Sequence, residues 1–486
     1  MSFFPIADYR PDVSVVNSGC TDTLVNVLPA DGCYIPMPGG TVVSAPLEEK
    51  PLGAIAFRTR SGVKIIVGGE QKLYAYDSHT RGWKDISKSG VSYSANEENK
   101  WSFALFDETI IAVNKNDKPQ AFQMGNSERF DDLGGDPPRA GLVKVWGRFV
   151  CLMQLTDHPN RVHWSGFKDA THWKVQEKQC DFQDFHDGEV VQGSTESTNP
   201  LIFMRSAIYA GLFTPGSGFV FSFQKIQDKR GARSPQSIVC RGSDAFFVDD
   251  GGFYQMNFEG QPLPIGFEKV DRTVFSSFDR LALDAMQGVI DPVYNRVYWS
   301  LKSANNTQTT FVYDWGLQKW SMIYGERLTF FPTFTTGYSL EQLDEVSERL
   351  EDLPASLDNP IWQNGMPVLG GFDAKNRLVV FTGAPMEAVV VSQEMGAPDG
   401  SLSFFTKVFA EVDTLDGLLR IGERNVRSNS TPLKWHKERV CSFVTGAYHG
   451  RSHNRYHRFQ LRIPEGTPWK QITGFHVNLR SLGRRS

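Results

Sequence analysis

The stretch from Asn295 to Trp320 reads NRVYWSLKSANNTQTTFVYDWGLQKW. Val297, Trp299 and Leu301 alternate with Tyr298 and Ser300, the period-2 pattern of a strand. Asn305-Asn306 supplies a turn, Phe311 and Tyr313 alternate again, and a short bend closes on Trp320. Both ends of the stretch recur. Asn295-Arg296-Val297-Tyr298-Trp299-Ser300 is matched by Asn160-Arg161-Val162-His163-Trp164-Ser165, and more loosely by Asn376-Arg377-Leu378. Tyr313-Asp314 followed by Trp320 is matched at the same internal spacing by Tyr76-Asp77 followed by Trp83. The stretch is a candidate repeat unit whose Tyr and Trp pack between neighbouring units.

Strand signals spread outward from it in groups of four. Ala54-Phe57, Val63-Val67, Leu73-Tyr76 and Trp83-Ile86 form one group; Trp101-Phe106, Ile110-Val113, Gln120-Gln123 and Phe130-Leu133 form the next. Leu142-Val145, Phe149-Gln154, Arg161-Ser165 and Trp173-Val175 make a third. Four short strands about every 40 to 47 residues predict an all-β chain built as a β-propeller. The repeated words agree: Asn160 to Asn295 is 135 residues, Asn295 to Asn376 is 81, and Asp77 to Asp314 is 237. These spacings allow six to eight blades. A four-stranded blade cannot bury both faces alone, so blades stack around an axis.

Three segments depart from the repeat. Residues 1–50 are broken by Pro5, Pro11, Pro29, Pro36, Pro38 and Pro46, predicting an extended N-terminal arm across the body or a neighbouring subunit. Within the propeller, placed at 51–395, the run SLEQLDEVSERLEDLP predicts a helix over 339–353. Ser339 and Gln342 form a capping box, Leu340, Leu343, Val346, Leu350 and Leu353 share a face, and Pro354 ends it. Its outer face is acidic, with Glu341, Asp344, Glu345 and Glu348. After a Gly- and Pro-bearing linker, residues 402–486 read as a small β domain with strands including Leu418-Ile421, Val440-Val444 and Phe459-Ile463.

Charge separates these parts. From Leu419 to the end, 14 Lys and Arg face 3 Asp and Glu, a net +11, so a chain of net −4 carries −15 elsewhere. A basic terminal domain on an acidic body suits docking to an acidic protein surface or nucleic acid, or simply a solvated basic face. Arg451, Arg455, Arg458 and Arg462 along one edge, with Arg484 and Arg485, are the candidate docking cations. Lys225, Lys229, Arg230 and Arg233 mark a basic loop that could meet DNA or a partner. No apolar run approaches the roughly 20 residues of a membrane span, and the N-terminus does not read as a secretory signal. Six scattered cysteines without CxxC spacing suit reduced thiols of a protein made in a cytosol.

Chemistry is sparse. There is no Gly-rich phosphate loop, GxSxG elbow or HExxH helix. Cys180 to Glu189 gathers Asp181, Asp184, His186, Asp187 and Glu189, oxygen ligands that could hold a divalent cation but read more simply as an acidic loop. His449, His453 and His457 would share a helical face, but Tyr448, Gly450 and Asn454 favour a loop or strand. No nucleophile or acid–base pair stands out, so no enzyme activity and no cofactor is expected.

Several words resemble the tail nozzle or tail-hub proteins of short-tailed bacteriophages, the packaged-DNA stabilisation proteins. They are Ala7-Asp8-Tyr9-Arg10-Pro11-Asp12, Asn26-Val27-Leu28-Pro29, Gly32-Cys33-Tyr34-Ile35-Pro36 and Pro235-Gln236-Ser237-Ile238-Val239. Leu340-Glu341-Gln342-Leu343-Asp344 leading to Trp362, and Tyr456-His457-Arg458-Phe459 through Gly483-Arg484-Arg485, also fit. The resemblance implies a structural virion protein, assembled in the host cytoplasm, that forms a homo-oligomeric ring in the tail. Such a ring extends the DNA channel, retains packaged DNA and opens for ejection. Its implied partners are adaptor or portal-side tail proteins, tail fibres or spikes, and double-stranded DNA passing through without sequence-specific binding. The alternatives are a carbohydrate-binding or glycan-cleaving propeller, with two carboxylates in an axial pocket, and a cellular scaffold.

Overall fold

The computed structural model describes residues 1–15, 19–59, 62–216, 218–258, 260–302, 307–325, 329–336, 364–396, 400–428 and 431–481. Their strands form seven four-stranded antiparallel blades around one axis. Blade one runs from Ala54–Thr59 to Gly82–Asp85, blade two from Ser102–Phe106 to Asp131–Asp132, and blade three from Ala140–Trp146 to Asp181–Asp184. Blade four runs from Val191–Ser194 to Phe221–Asp228, blade five from Val239–Arg241 to Leu263–Pro264, and blade six from Gln287–Ile290 to Lys319–Gly325. Blade seven has Thr329–Thr336, Asn364–Phe372 and Arg377–Pro385, and its outermost strand comes from the arm.

Period-2 alternation explains why second strands are apolar almost throughout. In blade one Ile65 and Val67 enter the core shared with blade seven, whereas Ile66 enters the core shared with blade two. In blade two Ile110 and Ala112 face blade one, and Ile111 and Val113 face blade three. Each blade is a filling between two others, so both faces must be apolar. Separate cores follow between blades three and four, four and five, five and six, and six and seven, which closes the ring.

The opening stretch is blade six from its second strand outward. Tyr313 pairs with Trp320 across the outer hairpin, and Tyr76 pairs with Trp83 at the same place in blade one. Trp320 donates its indole N–H to the Ile265 carbonyl at 3.0 Å, and Trp83 to the Ala45 carbonyl at 3.0 Å. Each Trp therefore ties its outer strand to the preceding blade. The Asn-Arg words are not equivalent. Asn160 and Asn376 precede third strands, whereas Asn295 precedes the second strand of blade six. They share turn chemistry, which any hairpin of a blade can use.

Three further details differ from the sequence reading, and one expectation falls outside what the structure describes. The fourth strand of blade three is Asp181–Asp184, not Trp173-Val175; Trp173 is buried against blade two and bonds the Ala170 carbonyl at 2.8 Å. Short helices α1 (Asp271–Ser277) and α2 (Arg280–Asp284), absent from the sequence reading, link blades five and six. The expected helix at 339–353 lies outside the described residues. Val440-Val444 is not one strand: Arg439–Val440 is a two-residue strand beside Leu418–Arg424, and the chain then crosses to the other sheet, which it enters at Tyr448–Asn454.

The arm is woven into the fold. Its strands are β1 (Ser2–Pro5), β2 (Leu24–Val25), β3 (Val27–Ala30), β4 (Cys33–Pro36) and β5 (Pro38–Pro46). β5 completes blade seven against Arg377–Pro385, so the propeller reaches back outside 51–395. β2 lies between Lys319–Gly325 of blade six and Ala388–Val391, prolonging blade six into Tyr456–Ile463 and Leu418–Arg424. A second sheet, with β1, β3, β4, Ile472–Val477, Ser403–Val412 and Tyr448–Asn454, packs on it through Phe405, Phe459 and Phe475. The described residues of 402–481, with the arm strands, thus form a sandwich fused to blade six by a shared sheet and a shared core.

Candidate partner-docking surfaces

The four arginines proposed for docking separate into two pairs. Arg458 is buried, and its guanidinium grips both oxygens of Asp22 in the arm at 2.7 and 3.0 Å and bonds the Ser392 carbonyl at 3.0 Å. Burial opposes ionisation of Asp22, but the hydrogen bonds and charge of Arg458 outweigh it and hold the carboxyl below its ordinary range. Arg462 forks onto Glu438 at 2.7 and 2.9 Å and reaches Glu387 at 3.0 Å. Both are clamps within the molecule. Arg451 and Arg455 are exposed and make no ion pair with the described residues. Arg484, Arg485, Glu341, Asp344, Glu345 and Glu348 lie outside the described residues.

The basic loop is largely neutralised. Lys225 lies within the outer strand of blade four and contacts Asp187 at 3.0 Å and Asp228 at 3.3 Å. Arg230 stacks over Tyr254, its guanidinium 4.1 Å from the ring centre, beside Asp249. Arg233 bonds Asp250 at 3.0 Å and Asp284 at 2.8 Å. Lys229 alone of the four stays exposed without an ion pair among the described residues.

The reactive groups read as structural. His163 and Cys180 approach to 3.7 Å, but burial pushes the imidazole down to about 4 and the thiol up to about 11. That is a neutral pair, opposite to an activated thiolate. His457 bonds Ser403 and Ser452 at 2.9 Å each, and Ser452 donates to Glu423. The order Ser–His resembles a nucleophile with its base, yet Ser403, Ser452 and His457 are buried between the two sheets of the sandwich. Burial lowers His457 to about 4, so it stays neutral at pH 7. His449 and His453 are exposed on one strand while His457 lies buried on the next, so the three do not converge. No cluster of metal-ligating side chains occurs among the described residues.

At the propeller axis lies a cavity of about 380 Å³, lined by first strands of six blades and by the linker into blade five. Its polar groups hold one another. Gln236 accepts from Lys100 at 3.2 Å and from Gln287 at 2.7 Å, and Lys50 pairs with Glu97. Lys144 meets Glu196 at 2.8 Å; burial opposes its charge, but Glu196 more than compensates and raises its pKa. Glu97 is the one carboxylate among the described lining residues, where a glycan-cleaving site uses two.

The sandwich also carries a feature that strand periodicity concealed. The chain from Cys441 to Ala447 turns outward, leaving Val440, Phe443 and Val444 72%, 74% and 95% exposed. Thr445-Gly446, with Gly446 at φ 66°, turns this loop, whose ends enter different sheets: Arg439–Val440 pairs with Leu418–Arg424, and Tyr448–Asn454 with Ser403–Val412.

No protein-family model matches the chain, and no curated protein matches it in sequence. Among solved structures it is similar to the computationally designed protein Ika8, at 8% identity and a TM-score of 0.40, over 78% of this chain and 99% of that one. A chain of a mitotic checkpoint complex aligns at 9% identity and 0.37, over 74% and 92%. The extracellular domain of a hybrid two-component system from B. thetaiotaomicron aligns at 11% and 0.33, over 68% and 41%. The seven-bladed assignment rests on the strand topology of this chain.

Proposed function

We propose that this protein is a structural subunit of a short-tailed phage virion, assembling into a ring that extends the tail's DNA channel, retains packaged DNA and opens for ejection. The observation that carries this reading is the division of charge. The body is acidic, whereas the sandwich keeps exposed cations after its internal clamps are counted, among them Lys437, Arg439, Arg451 and Arg455. An acidic wall does not grip passing phosphates, since each neutralised phosphate adds salt-dependent affinity. The axial cavity is of small-molecule size and crossed by side-chain bonds, so the duplex would pass between copies, through the centre of the ring.

The test is light scattering on the size-excluded protein, followed by negative-stain imaging, alone and with candidate adaptor rings. A closed ring that binds DNA weakly, and without sequence preference, is expected. A strict monomer would overturn the reading. Carbohydrate binding is the competing function because the axial cavity carries Trp101, Phe331 and Lys100 around one carboxylate. A glycan array would reveal it.

A further inference from the structure

Two surfaces far apart in sequence complement one another. The first is the loop tip of the sandwich, where Val440, Phe443 and Val444 stand in solvent. Contiguous apolar groups so exposed mark an interaction site. Lys437, Arg439 and Arg451 around this tip are exposed and form no ion pair with described residues, and the nearest carboxylate in sequence, Glu438, is held by Arg462. The tip is therefore apolar at its end and cationic around it.

The second surface lies where the outer edges of blades three and four meet. Two hollows of about 370 and 310 Å³ flank Phe219, whose side chain is 77% exposed between them. Phe213, Phe221, Phe223 and Tyr209 supply apolar walls. Asp181, Asp184 and Asp187 line the hollows, and no lysine or arginine does. Arg161 and Lys225 offset Asp184 and Asp187 from outside the lining, which leaves the rim acidic through Asp181. This surface includes the segment that the sequence read as an acidic loop in preference to a cation site; Asp181 and Asp184 stand on an outer strand, with Asp187 beyond its end.

We propose that the loop tip of one copy seats in the acidic, aromatic hollows between blades three and four of a second copy. The inference rests on the ring reading and names its interface. Apolar tip meets apolar wall, while Lys437, Arg439 and Arg451 meet the aspartate rim; such complementarity fixes orientation and partner choice. Because tip and hollow are different surfaces, the contact is heterologous, and a heterologous contact that closes makes a ring.

The test uses the full chain and three samples. Phe443→Asp with Val444→Asp disables the tip, and Phe219→Asp with Asp181→Lys disables the hollow; all four positions lie at the surface or partly exposed. Each variant should keep the wild-type Tm and shift from ring mass to monomer mass, with assembly weakened at least tenfold. An equimolar mixture of the two variants should give a one-to-one dimer and stop there, because one intact tip meets one intact hollow. A tip variant that assembles like wild type overturns this interface while leaving the ring reading standing. A wild-type protein that stays monomeric overturns both.

Discussion

Blades six and seven each receive a strand from the arm, and the two additions do different things. In blade seven, β5 runs nine residues and supplies the fourth strand, so the ring cannot close without it. Blade one then grips the same strand from the other side. Tyr76 donates to the Val43 carbonyl at 2.7 Å, and Arg81 bonds the Val42 and Val43 carbonyls at 3.2 and 3.3 Å. In blade six, which already has four strands of its own, β2 contributes two residues and acts as a bridge to the sandwich. Asn26 follows it at φ 56°, donating to the Glu387 carbonyl at 2.8 Å and accepting from the Tyr324 N–H at 2.9 Å. One strand completes a repeat and the other extends it. The difference lies in what each strand leaves unpaired when it is lost: a ring interface, or one edge of a sandwich.

The largest effect should therefore come from β5. Val43 is buried in the core between blades seven and one, and Val43→Asp places an unpaired carboxylate there. The expected loss exceeds about 4 kcal/mol, enough to abolish a cooperative thermal transition. Val25→Asp in β2, at a half-buried position, should leave the propeller's transition in place while the sandwich loosens. Thermal unfolding with hydrogen exchange on both variants checks this, and equal damage from the two would break the comparison.

Next in size is a pH effect at the linker that feeds blade six. Asp271 begins α1 with its carboxyl accepting from the Phe253 N–H at 3.1 Å. Burial raises it to about 7, and Asp12 adds repulsion. A raised carboxylate pKa means the folded state holds a proton that the unfolded chain releases near 3.8, so stability falls as pH rises from about 3.8 through 7. Asp271→Asn should remove that penalty and stabilise the protein at pH 8 by up to about 4 kcal/mol. His457 works in the opposite direction. Burial brings it to about 4, below the ordinary 6.5 of a histidine, so its stabilisation is complete above 6.5 and lost as pH falls toward 4, about 3 kcal/mol in all. Between about pH 4 and 6.5 the two slopes oppose one another and nearly cancel, so Asp271→Asn should uncover a rise of Tm across that window that the wild type does not show.

The clamp that joins arm to sandwich should be asymmetric. Asp22→Asn leaves the buried Arg458 without its counter-charge and should cost about 3 kcal/mol. Arg458→Met leaves Asp22, which is partly exposed, able to turn to water, and should cost less. Denaturant titration of both, read against Val25→Asp, shows whether β2 or this ion pair carries more of the bridge.

How much of this was legible follows from the range of each signal. Blades one and two were readable strand by strand because Ile65-Ile66-Val67 and Ile110-Ile111-Ala112-Val113 alternate between two neighbouring cores. The Tyr–Trp pairs marked equivalent hairpins because the same packing recurs there. The arm was read as extended, yet its strands were missed: prolines hid Thr41-Val42-Val43-Ser44, whose partner lies more than 300 residues away. Arg458 read as a free edge cation because its partner, Asp22, is equally distant in sequence. The exposed Phe443 and Val444 read as part of a strand because periodicity reports apolar residues and not whether a second sheet covers them.

The smallest predicted effect tests the arm at its third anchor. Asp12 is not part of α1, yet its carboxylate accepts from the Arg272 and Thr273 N–H groups at 2.8 and 2.7 Å and from the Thr273 hydroxyl at 2.7 Å. It thus serves as the helix's cap from outside, satisfying donors that the helix leaves open. Asp12→Ala should cost about 1 kcal/mol, the usual value of a lost cap. The cost should depend on pH, because Asp12 also helps to raise Asp271. Below pH 7 Asp271 is protonated and only the cap is lost; above it, removing Asp12 also relieves repulsion between two carboxylates, so the net loss shrinks. Tm of Asp12→Ala against wild type at pH 6 and pH 8 measures both parts. A loss that does not shrink at pH 8 would mean that the two carboxylates do not sense each other, and that the arm docks on α1 through the cap alone.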